Sequence, residues 1–259
     1  MKILFLGDVV ARSGCEAVIR SINSIQQAYS IDFTVINAEN AAYGKGITKK
    51  LYQQLIEAGA DVITLGNHAF SKKEIIPEFK NCPFLVRPAN MDPLEVGNSL
   101  VIRERKERKI AVINLLGNVF MRVSTDDPIK VMEEMIRDID AEIILVDLHG
   151  EATSEKILFT QYFADRLTAV IGTHTHVQTA DERIISGCAF ITDVGMCGPY
   201  HSILGRDIDE MISHSIDYEQ TTYKPADGPS VICGVVVETD DTTNRAVAIE
   251  RIQIRPQSD

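Results

Sequence analysis

The chain has 259 residues, 45% of them hydrophobic and 24% charged, which is long enough for a sizeable core and ordinary for a water-soluble globular protein. Lys and Arg number 26 against 37 Asp and Glu, leaving a formal charge of −11. Such a surface repels long nucleic acids and admits a small anion only where something local, such as a bound metal, reverses the field.

The predicted elements follow in chain order. "KILFLG" (2–7) reads as a buried strand rather than a signal peptide, because Asp8 and Arg12 break the apolar run where it should continue. With no export signal, the cytoplasm is the expected compartment. No apolar run approaches the ~20 residues needed to cross a membrane. "GCEAVIRSINSIQQAY" (14–29) has helical spacing, with Val18, Ile22 and Ile25 on one face. "DFTVINA" (32–38) is a second strand, and "TKKLYQQLIEAG" (48–59) a helix with Thr48 as N-cap and Gly59 as its stop. "DVITLG" (61–66) is a third strand, followed by a short helix at 71–80 that Pro77 kinks or divides. The basic cluster "RERKERK" (103–109) reads as a solvated hairpin turn between two strands.

Further strands are expected at 109–117, 142–148, 169–173 and 188–195, and helices at 127–139, 154–166 and 206–216. Pro128 suits a first helical turn. "SVICGVVVET" (230–239) and "RAVAIERIQI" (245–254) form a closing hairpin turned by "DDTTN". The β-α-β-α rhythm of the first two thirds predicts a largely parallel sheet covered by helices, with a mixed or second sheet in the strand-rich last third. Residues 1–259 show no linker or repeat and are expected to form one domain. The five cysteines (Cys15, Cys82, Cys188, Cys197 and Cys233) are odd in number, scattered and without a CxxC spacing. They argue against a disulfide framework and a zinc–thiolate site, and are expected to be reduced and mostly buried. Cys197 stands apart in the glycine-flanked loop "TDVGMCGP" (192–199).

In open α/β sheets, ligands bind beyond the carboxyl ends of the strands. Asp8 follows the first strand, Glu39 and Asn40 the second, and Asn67 and His68 the third; His149 follows "IILVDL", and His174 and His176 follow "AVIGT". If these strands share a sheet and a direction, the groups converge. Singly, each has an ordinary reading: an Asp after a strand caps a turn, a strand-end His bonds within the rim, and "NAEN" caps its own backbone. One residue between His174 and His176, in extended chain, points both imidazoles to one side. Four of the six histidines, two carboxylates and two carboxamides at five strand ends exceed what structure alone requires. Oxygen and imidazole donors without thiolate suit iron, manganese or zinc, and about seven donors suit two ions sharing a carboxylate rather than one.

"GD" (7–8), "GNH" (66–68), "LHG" (148–150) and "GTHTH" (172–176) resemble the ordered motifs of calcineurin-like metallophosphoesterases. The longer stretches "NAENAAYGKGIT", "HGEATSEK", "THTHVQTADERI" and "TDVGMCGP" resemble the YmdB-like subfamily, over positions 7 to about 205. Two features depart from the wider superfamily. Asp8, Val9 and Val10 stand where DxH is usual, and "NAEN" replaces the usual bridging motif. The resemblance implies an α/β metallophosphoesterase sandwich of mixed, mostly parallel sheets flanked by helices, with the metal site at strand carboxyl ends. It implies two metal ions, iron first, with manganese or zinc as alternatives. One is held by Asp8, Glu39, Asn40 and His176, the other by Glu39, Asn67, His149 and His174, with Glu39 bridging. His68 becomes the proton donor near the leaving oxygen, and Lys45, in the glycine-hinged "AAYGKGIT" (41–48), is a candidate for holding substrate phosphate. The implied reaction opens a 2′,3′-cyclic nucleotide, or another small phosphodiester, to a 3′-nucleotide with a hydroxide shared by the ions.

A phosphomonoesterase or nucleotidase on the same fold is one alternative, and a regulatory nucleotide-binding protein another. A dinucleotide-binding oxidoreductase is disfavoured, since "GDVVARSG" lacks the G-x-G-x-x-G spacing. The expected partner is a small cyclic nucleotide or phosphodiester, with no long nucleic acid and no membrane; a homo-oligomer is left open. His201 and His214 fall outside the motifs and read as surface or rim residues.

Overall fold

The computed structural model describes residues 1–123 and 125–256. The chain opens with β1 (Lys2–Leu6), β2 (Asp8–Val9), α1 (Ala11–Tyr29) and β3 (Phe33–Asn37). Next come α2 (Lys49–Ala58), β4 (Val62–Thr64), a 3-10 helix (Lys73–Asn81) and β5 (Leu85–Val86). β6 (Leu100–Arg105) and β7 (Arg108–Leu116) precede α3 (Pro128–Met135), β8 (Ile143–His149), α4 (Thr153–Phe163) and β9 (Ala169–Thr173). β10 (Arg183–Ile185), β11 (Cys188–Ile191), β12 (Met196–Pro199), α5 (Ile208–Ser215), β13 (Ser230–Thr239) and β14 (Ala246–Ile254) complete it. Among the described residues, no helix is long and apolar enough to cross a membrane.

Two mixed sheets result. One runs β2-β12-β13-β1-β3-β4-β5 with β14 beside β13, and the other runs β10-β11-β9-β8-β7-β6. β1, β3, β4 and β5 are parallel in the first sheet, and β7, β8, β9 and β11 in the second. Their sequences are apolar on both faces because both faces are covered. Ile3, Phe5, Val35 and Val62 point inward and meet Val112, Leu145 and Ile171 of the second sheet. Leu4, Leu6, Ile36 and Ile63 point outward, under Val18, Ile22 and Ile25 of α1 and Leu55 of α2. Ile113, Val146 and Val170 pack in the same way beneath Met132 of α3 and Phe159 and Phe163 of α4. The layers are therefore helix, sheet, sheet, helix, and each fully buried Leu, Ile, Val or Phe contributes about 1.5–3 kcal/mol.

Thr48 caps α2 by accepting from Leu51 N, and Asp127 caps α3 by accepting from Ile129 N. The closing hairpin forms as expected, but β13 also pairs antiparallel with β1, which makes the first sheet mixed. Residues 103–109 do form a hairpin, turned by Lys106 and Glu107, and its cations pair with Asp61, Asp32, Asp241 and Asp140.

Four expectations need correction. The donor-bearing strands do not share one sheet: β1, β3 and β4 lie in the first, β8 and β9 in the second. The helix expected at 71–80 takes the 3-10 form over Lys73–Asn81, with Pro77 inside it. The strand expected at 188–195 stops at Ile191, and the chain crosses to the other sheet and resumes as β12. A Cβ at Gly7 would stand 1.8 Å from Gly195 O, and one at Gly172 would stand 1.8 Å from Thr192 O, so this crossing needs both glycines. Cys197 is therefore in a strand rather than an open loop. It is fully buried, and burial pushes its thiol far above the usual range. All five cysteines are free and buried, and His201 and His214 are exposed.

Candidate metal centre

The two stacked sheets bring their strand ends together, and there the polar side chains predicted from sequence assemble. His149 is the last residue of β8 and has no exposed surface. Its Nε2 lies 3.0 Å from Asn67 Oδ1, 3.0 Å from His174 Nδ1 and 3.2 Å from Glu39 Oε1. One ring nitrogen carries at most one hydrogen and cannot satisfy three acceptors. Atoms bound to one first-row ion at about 2.0–2.2 Å stand roughly 3 Å from each other, which is the spacing seen here. Among the described residues, Glu39, His149 and His174 form the group whose ligand atoms all lie within 4.8 Å of one another.

The other flank is looser. His176 Nε2 faces Asn40 Oδ1 at 3.2 Å, and Asn40 Nδ2 donates to Gly44 O. Asp8 is fully buried; its Oδ2 accepts from His174 N at 3.3 Å, while its Oδ1 has no hydrogen-bond partner. A buried carboxylate oxygen without a donor fits a cation. Gly66 supplies the floor, because a Cβ there would stand 2.3 Å from Glu39 Oε2 and 2.6 Å from His149 Nε2. The residues present thus fit a metal.

Each imidazole is anchored through the nitrogen that faces away from this cage. His149 Nδ1 lies 2.8 Å from Thr173 Oγ1, His174 Nε2 lies 3.2 Å from Glu151 Oε2, and His176 Nδ1 donates to Leu204 O at 3.0 Å. Such outer partners are what orient histidine ligands. The His174 and His176 pair departs from the extended geometry expected of it. β9 ends at Thr173, and His174 and His176 take φ of 106° and 66°. A turn, not strand alternation, sends one ring toward each flank. Lys156 of α4, 1% exposed, holds that turn. Its Nζ donates to Thr173 O at 2.7 Å and to Asp193 Oδ2 at 3.2 Å, and the same carboxylate oxygen accepts from Thr175 N. The strained backbone of His174 is thereby gripped on both sides.

The charges are strongly coupled. Burial disfavours a charged His149 ring, but the carboxylates of Glu39, Asp8 and Asp147 outweigh it and raise the ring to about 9. Burial likewise works against the Glu39 carboxylate, yet His149 and His68 hold it at about 2. Burial, offset in part by His176 and His149, pushes Asp8 up to about 6. Burial and the neighbouring His149 push His174 down to about 3. A proton on His149 serves as countercharge to Glu39, and a cation would displace it.

His68 is half-buried, with its backbone N on Glu39 Oε2 and its Nδ1 3.3 Å from Ser71 Oγ. Burial lowers its ring below the usual imidazole range, aided by the charges of Lys45 and His149. Lys45 lies outside the cage; it is exposed, its Nζ 5.5 Å from the centre of the Tyr223 ring. Thr173, Asp147, Glu151, Lys156, Asp193 and Gly66 were not singled out from sequence. Two carried a signal: Asp147 is the lone charge inside an apolar strand, and Lys156 shares a helix face with Phe159, Thr160 and Phe163.

A family model described as YmdB-like protein matches residues 4–252. The chain is 45% identical over 257 residues to a 2′,3′-cyclic-nucleotide 2′-phosphodiesterase of Bacillus subtilis (strain 168), covering 98% of this chain and 97% of that one. A crystal structure described as a novel phosphatase from Mycoplasma pneumoniae superposes with a TM-score of 0.93 at 36% identity, covering 98% of this chain and 93% of the other. A hypothetical protein from Thermus thermophilus gives a TM-score of 0.93 at 34% identity, covering 99% and 100%. With the match running nearly end to end in sequence and in fold, the chain belongs to the YmdB-like family of metallophosphoesterase-type enzymes.

Proposed function

We propose that this protein hydrolyses 2′,3′-cyclic nucleotides to 3′-nucleotides at a two-metal centre, with other small phosphodiesters as secondary substrates. The carrying observation is the crowding of Asn67, His174 and Glu39 around His149 Nε2 while each imidazole is tied back through its other nitrogen. The substrate class follows the activity for which the Bacillus subtilis relative is named. In this reading Glu39, Asn67, His149 and His174 hold one ion, and Asp8, Glu39, Asn40 and His176 hold the second. Iron is the first candidate, with manganese or zinc as alternatives, since the donors are oxygen and imidazole without thiolate. Bound divalent ions supply a Lewis-acidic centre that neutralises phosphoryl charge and lowers the pKa of water.

The chain's own groups do the rest. With Ser71 Oγ accepting from Nδ1–H, a protonated His68 would keep its Nε2 hydrogen free for the leaving 2′ oxygen and return to neutral imidazole after giving it up. Burial lowers the ring's affinity for a second proton, and a phosphodiester anion beside it acts in the opposite direction. Lys45, on the rim, meets the phosphate before it enters. The reading takes residues 1–259 as one domain, and five free, buried cysteines suit the reducing cytoplasm.

The test is a side-by-side assay of 2′,3′-cyclic AMP and 5′-AMP with elemental analysis of the same sample. We expect 3′-AMP from the cyclic substrate and loss of turnover with a chelator. Faster release of phosphate from 5′-AMP would favour the phosphomonoesterase reading instead. A metal-loaded sample inert toward both would leave a regulatory, nucleotide-binding role.

A further inference from the structure

Thr173 ends β9, and its side chain lies between a buried carboxylate and His149. Resting on the metal centre proposed above, we infer that Thr173 and Asp147 are positioning residues that decide which nitrogen of His149 carries its hydrogen, and so keep Nε2 free toward the cage. Asp147 is fully buried on β8, at the interface between the sheets. Its Oδ2 accepts from Asn37 Nδ2 of β3 at 2.9 Å and from the Thr64 hydroxyl of β4. Its Oδ1 accepts from Thr173 Oγ1 at 2.6 Å. Asn37 is itself oriented, because its Oδ1 accepts from Glu39 N and its Nδ2 also donates to Leu65 O.

The direction of the chain of bonds follows from counting hydrogens. A carboxylate has none to give, so the single hydroxyl hydrogen of Thr173 goes to Asp147. Only a lone pair then faces His149 Nδ1, 2.8 Å away, and Nδ1 must carry the hydrogen. Once a cation displaces the proton that faces Glu39, the Nε2 lone pair is left for the cage. The opposite tautomer would set two lone pairs against each other at Thr173 and place a hydrogen among the metal donors. A branched side chain in a strand is stiff at χ1, which suits Thr to the task. The same carboxylate joins β3 and β4 to β8, so the orientation of His149 is tied to the stacking of the two sheets.

Asp147→Asn inverts the relay without changing shape. The new amide would keep its oxygen toward the donors Asn37 and Thr64 and turn its NH2 toward Thr173. The Thr173 hydrogen would then point to Nδ1 and the ring hydrogen would move to Nε2. Thr173→Val instead removes the hydroxyl at nearly constant volume, and Thr173→Ser restores it. Thr64→Val removes one bond to Asp147 without touching the relay.

The experiment is titration of the metal-free proteins with Zn²⁺, with thermal unfolding to show that each is folded. Thr173→Val and Asp147→Asn should each weaken the tightest Zn²⁺ binding by about 10–100-fold. Thr173→Ser should return close to the wild-type affinity, and Thr64→Val should keep it. Equal losses in Thr173→Val and Thr64→Val would mean a merely structural role and overturn the inference, as would wild-type affinity in Asp147→Asn. If Thr173→Val does not fold, Asp147→Asn decides alone. If the wild-type protein takes up no Zn²⁺, the metal centre fails together with the relay; uptake that ignores both substitutions sinks only the relay.

Discussion

The His149 flank of the cage and the His176 flank use similar donors on different supports. Around His149 the donors hang from β3, β4, β8 and β9, and the ring is backed by the buried Thr173 and Asp147. Around His176, Asp8 stands on the short β2, but the ring and Asn40 are held by loops: Leu204 O holds the ring, and Asn40 is tied to Gly44. Strand ends in two packed sheets cannot shift without disturbing both faces of the core, whereas a loop can move at little cost. A donor set held in place before binding loses less freedom when the ion arrives. Under the proposed two-ion reading the comparison ranks the flanks, with the His149 side expected to fill first and more tightly.

The strongest way to break this ranking is Gly66→Ala. The added methyl would overlap Glu39 and His149, so metal content and hydrolysis should both be lost while circular dichroism stays native. Full metal content in this variant would contradict the crowded floor. Next, His174→Ala and His176→Ala should differ in bound metal. His174→Ala should lose the tight ion, and His176→Ala only the weaker one, as counted by elemental analysis. The reverse order would put the preorganised flank on the wrong side.

His68→Ala sharpens the comparison by leaving both flanks intact. It should lower kcat by about 10²–10⁴-fold with bound metal unchanged; falling metal content would remove its role as proton donor. Lys156→Met tests the turn that carries His174. It leaves Asp193 buried beside the backbone N–H groups of Thr175 and Gly195 but without its cation, at about 3–5 kcal/mol in urea unfolding. Tight metal binding should weaken with it. The smallest effect is Thr48→Ala, which removes the cap of α2 at about 1 kcal/mol and should leave both ions untouched.

Much of the cage was readable before folding because polar residues after an apolar run end up at strand termini. Asp8, Glu39, Asn40, Asn67, His149, His174 and His176 all stand there. What stayed hidden is the support behind them. Thr173 looks like any strand threonine, and Asp193 like a turn aspartate. Lys156 shares a helix face with Phe159 and Phe163, which marks it as buried but does not say what it bonds. Their roles depend on partners in other elements, and nothing in the neighbouring residues encodes a contact between Lys156 and Asp193.

The fold divides along the same line. Period-two and helical patterns located most strands and helices, and the capping residue at Thr48, because those signals arise within a few residues. They also marked which side chains could become donors. Only the tertiary structure decided that the parallel strands split into two stacked sheets, that the chain leaves the second sheet after Ile191 to enter the first at Met196, and that His174 and His176 diverge at a turn. Those choices follow from packing both faces of each sheet and from backbone approaches allowed at Gly7 and Gly172, and both are set by segments distant along the chain.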